Sequence, residues 1–115
     1  MPEKANIDPY SDPVVETILK EFRRAETLFK EPWSVEKFGK AAVRRTFSMS
    51  FYKWGDSARD LAALALAMLR LQLFHTAHGR EDMEAMYKEF FNDCKEYALA
   101  KLAGGERAYF LRQIE

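Results

Sequence analysis

A single cysteine, Cys94, and only four prolines and five glycines stand among 115 residues. One thiol cannot form an intrachain disulfide, so the core alone must hold the fold, and the composition suits a reducing compartment. There is no cysteine pair at zinc spacing, no glycine-rich phosphate loop after a strand and no Ser-His-Asp arrangement, and no cofactor is expected. The longest apolar stretch, Leu61 to Phe74, falls short of the roughly 20 residues that a bilayer demands, and it contains Arg70. The first residues, MPEKANIDPYSDP, have no apolar run, which excludes an ordinary secretory signal. The expectation is a cytoplasmic protein without a membrane partner. Net charge is absent too: 18 basic residues balance 18 acidic ones, so the whole molecule has no general attraction for phosphate or anionic lipid.

Apolar material is plentiful. Hydrophobic residues make up 48% of the chain, and nine Phe, five Tyr and two Trp are more than a minimal bundle of this length requires. Aromatic side chains dominate both cores and interfaces, so part of this set is expected to serve a second chain. The charge balance also hides a segregation. Lys20 to Arg59 holds ten basic and five acidic residues, whereas Glu81 to Glu96 holds six acidic and two basic ones. Opposed patches of this kind either pair within one fold or steer an encounter with a partner.

The pattern predicts an all-α, single-domain helical bundle of four main helices plus a short C-terminal helix. Residues 1–12 carry Asp8-Pro9 and Asp12-Pro13 and read as an extended N-terminal arm; residues 13–115 form the bundle domain. Asp12 caps a first helix with Pro13 at its first position, and Val15, Ile18, Phe22, Ala25 and Phe29 make its buried stripe until Pro32. The central helix covers about 57–78. Its fourteen residues from Leu61 to Phe74 include only Arg70 and Gln72 as polar members, so it must be enclosed by other elements. Ser57 with Asp60 resembles a capping box. A fourth helix runs from Glu81 to about Ala103, with Cys94 in the middle of its apolar face and Gly104-Gly105 as its stop. The last ten residues, too short to be stable alone, must dock somewhere.

The helix from Ser34 to Trp54 is two-sided. At about 100° per residue, Val35, Phe38, Ala42, Met49 and Tyr52 gather on one side, and Val43, Phe47, Phe51 and Trp54 on the other. Either the helix breaks near Ser48-Met49-Ser50, or it is sandwiched between core and partner. The sandwiched reading makes Phe47, Phe51, Trp54, Tyr109 and Phe110 the interface of a non-enzymatic interaction protein that self-associates, as a dimer, and binds another macromolecule.

Three kinds of site chemistry stand beside that reading. Lys37, Lys40 and Arg44 share a helical face next to Phe47 and Phe51, a combination that suits nucleic acid, and Ser48 to Ser50 would be the turn of a helix-turn-helix. His75 and His78 are spaced to share one metal ion, although a site needs three or four ligands. Arg70 and His75, separated by four residues, have a spacing that resembles the active-site motif of HEPN-domain ribonucleases, small all-helical proteins that usually dimerise. The resemblance implies proton transfer by His75 and charge stabilisation by Arg70. On a continuous helix these two side chains point about 140° apart, so convergence requires a distortion.

Overall fold

In a computed structural model of the protein, residues 13–27 and 40–114 are described. Among them there are five helices and no strand: α1 (Pro13–Glu26), α2 (Lys40–Trp54), α3 (Ala58–Ala77), α4 (Glu81–Lys101) and α5 (Gly104–Ile114). The expected all-α bundle is the observed class. The arm 1–12, the Asp12 cap, Pro32, Ser34 and Lys37 lie outside the described residues.

α3 is the axis. Ser57 caps it by accepting a hydrogen bond from the Asp60 backbone N–H at 3.3 Å, which satisfies one of the donors that a helix start leaves open. It packs most extensively on α4 and also meets α1, α2 and α5. From Leu61 to Leu71 it is largely enclosed, with Ala62, Leu69 and Arg70 half-buried, and Ala63, Ala65 and Ala67 keep its bulk low where neighbours approach. Beyond Leu71 only one side stays covered, because Leu73 and Phe74 are exposed while His75 is buried. Gly79 then takes φ +69°, a left-handed conformation open to glycine without a Cβ penalty, and reverses the chain into α4.

The contacts fix the helix directions. Lys40 with Asp82, Arg44 with Glu89, Phe47 with Phe90 and Phe51 with Tyr97 advance together, so α2 and α4 run the same way. Glu16 with Arg70 and Glu26 with His75 advance together as well, so α1 and α3 share the opposite sense. The bundle is therefore up-down-up-down. Its core combines α1's Val15, Ile18 and Phe22 with Leu61, Leu64, Leu66 and Leu71 of α3 and with Met83, Tyr87, Phe90 and Cys94 of α4.

Two expectations need correction. α2 is one unbroken helix through Ser48, Met49 and Ser50, so there is no helix-turn-helix at that point. Ser50 is buried and Ser48 exposed, the alternation of a continuous helix across a core boundary. Gly104-Gly105 does not stop α4, which ends at Lys101 with Leu102 extended; the two glycines instead begin α5. Gly104 has φ +60°, which turns the chain so that Phe110 is buried and Ile114 packs against the core.

Candidate functional site

Two assemblies of polar and aromatic side chains stand out. The first is buried. His75 sits two turns beyond Met68 on the enclosed side of α3 and is fully inaccessible, while Tyr87, two turns into α4, is equally so. Both reach the same oxygen of Glu26, at the last turn of α1. His75 Nε2–H donates to Glu26 Oε2 at 3.0 Å, and the Tyr87 hydroxyl donates to that oxygen too. A carboxylate oxygen only accepts, so this partner places the ring proton on Nε2. The His75 ring lies parallel to that of Tyr87, with 5.4 Å between centroids and 6° between planes, and Phe22 meets Tyr87 edge-on at 6.0 Å. One carboxylate thus ties α1 to the α3–α4 hairpin. Burial, first, and the neighbouring Glu26 charge, second, push Tyr87 well above the usual tyrosine range, which keeps it a neutral donor. His75 Nδ1 has no hydrogen-bond partner among the described residues.

This geometry separates Arg70 from His75. Arg70 Nη1 reaches Glu16 Oε2 at 3.2 Å on the outside of α1, whereas His75 points into the core at Glu26. α3 is continuous between them, as the helical phase requires, so the two do not share one cleft within the chain. Nor do the two histidines converge: His78 Nδ1 bonds the Phe74 carbonyl at 2.8 Å while its ring tilts over Phe74. No group of three His, Cys, Asp or Glu side chains able to hold a metal occurs among the described residues. Cys94 is buried, and desolvation pushes its thiol far above the ordinary range, which leaves it a poor nucleophile.

The second assembly is the seam between α2 and α4. Phe47 stacks on Phe90 with centroids 4.1 Å apart and planes 7° apart, and Phe51 meets Tyr97 edge-on at 5.2 Å. Trp54 is half-buried against the core, with Lys53 over its ring at 4.8 Å. The stripe of Phe47, Phe51 and Trp54 therefore packs on the chain's own helices. Phe110 is buried and Tyr109 half-buried in α5, with Arg112 near the Tyr109 ring at 5.9 Å.

Two of the four basic residues of α2, Lys40 and Arg44, are matched along the same seam. Lys40 Nζ lies 2.8 Å from Asp82 Oδ2, and Arg44 lies 3.8 Å from Glu89 and over the Phe90 ring at 5.8 Å. The hydrogen bond from Lys40 holds the Asp82 carboxyl below its ordinary range. At the far end Lys101 Nζ donates to the Gly55 carbonyl at 3.0 Å. Part of the charge segregated in the sequence thus becomes paired charge across two parallel helices.

What remains outside is the other side of the two-sided helix. Met49 is 63% and Tyr52 90% exposed, and on α4 Tyr97 is 56% exposed although it touches Phe51. The Glu26–His75–Tyr87 cluster was not foreseen. Its one sequence signal is a histidine at helical spacing on an otherwise apolar face, which leaves its partners unnamed. Comparison of the chain with protein-family models, with curated proteins and with solved structures gives no match.

Proposed function

We propose that the chain is a non-enzymatic helical interaction protein that self-associates as a dimer and, so assembled, binds another macromolecule. The observation that carries this reading is the exposed set Met49, Tyr52 and Tyr97 on the α2 and α4 side of the bundle. Tyrosine offers large contact area with few rotatable bonds, and it is enriched where interfaces concentrate their binding energy. The proposed surface is thus not Phe47, Phe51 and Trp54 themselves but the outward face of α2 at Met49 and Tyr52 together with Tyr97, which Phe51 meets edge-on. The Glu26 node itself is out of a substrate's reach, because both donors on that carboxylate are enclosed by packed side chains. Nucleic-acid binding through Lys37, Lys40 and Arg44 has less support, since Lys40 and Arg44 already face Asp82 and Glu89.

Light scattering on the purified chain tests the reading. The expected mass is twice 13.4 kDa at micromolar concentration, and Tyr52→Ser should weaken the dimer about tenfold while the circular dichroism of a folded helical chain is retained. A chain that stays monomeric at high micromolar concentration contradicts self-association.

A further inference from the structure

α2 and α4 lie side by side with opposite charge. α2 has four basic residues and no acidic one, while α4 has six acidic residues against three basic. Pairing along the seam uses only part of this. Arg45 on α2, and Asp93 and Glu96 on α4, are exposed and have no charged partner among the described residues. Arg45 and Tyr52, seven residues apart, fall on one line of α2, and Met49 lies between them. Asp93 and Tyr97 stand four apart and share a line of α4. Each helix therefore presents an exposed aromatic beside an unmatched charge, and the two charges are of opposite sign.

Resting on the self-association reading, we propose that two copies pack through this face about a two-fold axis parallel to α2 and α4, so that α2 of each lies on α4 of the other. The charge pattern selects this axis. A two-fold axis lying in the contact plane and running along the helices exchanges their positions and sets the basic helix on the acidic one. An axis in the same plane but across the helices sets α2 on α2 and α4 on α4, like charge on like. Rotation about an axis parallel to the helices preserves height along the bundle, and because α2 and α4 run in the same direction the facing helices are parallel. Phe47 is level with Phe90, and Phe51 with Tyr97. Arg45 then comes within about one helical turn of the partner copy's acidic line at Asp93, and Tyr52 within about one turn of its Tyr97.

Sedimentation equilibrium on Arg45→Glu, on Asp93→Lys and on their equimolar mixture tests the pairing, with circular dichroism to confirm that each variant is folded. Each variant alone should dimerise at least tenfold more weakly than the wild type. The mixture should regain wild-type affinity, because in the mixed dimer every reversed charge faces its opposite. A wild-type dimer that neither variant weakens overturns the α2-on-α4 contact and leaves self-association to another surface, such as Leu73 and Phe74. Full recovery when Arg45→Glu is mixed with wild type, but not with Asp93→Lys, places α2 on its own copy and likewise overturns it. A monomeric wild type overturns both readings. If that monomer carries 260 nm absorbance that Arg45→Glu removes, the face belongs to an anionic polymer.

Discussion

α1 and α2 are both fastened to α4 by polar side chains, yet the two fastenings differ in kind. At the Glu26 node one carboxylate, 12% exposed, takes hydrogen bonds from His75 and Tyr87, which are wholly enclosed. Along the α2–α4 seam, Arg44 and Glu89 form their ion pair with more than half of each side chain in water. Low dielectric makes the first strong and makes any unpaired member costly. Solvent makes the second weak, of order 0–1 kcal/mol per pair. The node can therefore set the position of α1, whereas the seam relies on stacked rings for adhesion.

The largest effect should follow removal of the node. Glu26→Ala leaves a buried tyrosine hydroxyl and an imidazole N–H without their acceptor, and a loss of about 3 kcal/mol in urea unfolding is expected. A loss no greater than that for an exposed ion pair would erase the contrast between the two fastenings. Phe47→Ala comes next. It removes a stacked ring from a half-buried site, for an expected loss of about 2 kcal/mol in the same assay.

The two regions should also fail at opposite ends of the pH scale. Tyr87 is held neutral in the folded chain, so its contribution is complete below the ordinary tyrosine value of 10.0 and is lost as pH rises above it. Cys94 behaves likewise from its ordinary value of 9.0 upward. Stability measured by chemical denaturation should thus decline from about pH 9, and Tyr87→Phe, costing about 1 kcal/mol at neutral pH, should flatten the steeper part above pH 10. Asp82 is shifted the other way: its contribution is present above the ordinary value of 3.8 and disappears as pH falls through its lower folded value. That pair is exposed, so Lys40→Ala should cost no more than about 0.5 kcal/mol and should reduce the acid-side slope only slightly.

Much of the fold could be read before any coordinates. The apolar run of α3 and the single stripe of Val15, Ile18 and Phe22 are unambiguous, because a helix without a polar face must be covered and a helix with one stripe must cover something. Ser57 and Gly79 mark the limits of α3 by local chemistry alone. Gly104-Gly105 misled for a similar reason, since a glycine signals a left-handed turn but not which neighbouring helix it belongs to. The candidate site was less legible. Phe47 and Tyr52 lie on opposite faces of the same helix and are about equally apolar, and periodicity cannot tell which face meets Phe90 and which meets water. Nor could spacing reveal that His75 answers to Glu26, 49 residues earlier, and not to Arg70 five residues away.

Local rules acting on side-chain order were sufficient for the helices among the described residues, the central position of α3 and the opposite charges of α2 and α4, because helix propensity, capping and amphipathic period operate within a few turns. Packing alone decided which charges are matched, which aromatic face is left outside and which carboxylate enters the core. Those outcomes depend on distances between residues tens of positions apart, and such distances exist only once the helices have been laid against one another.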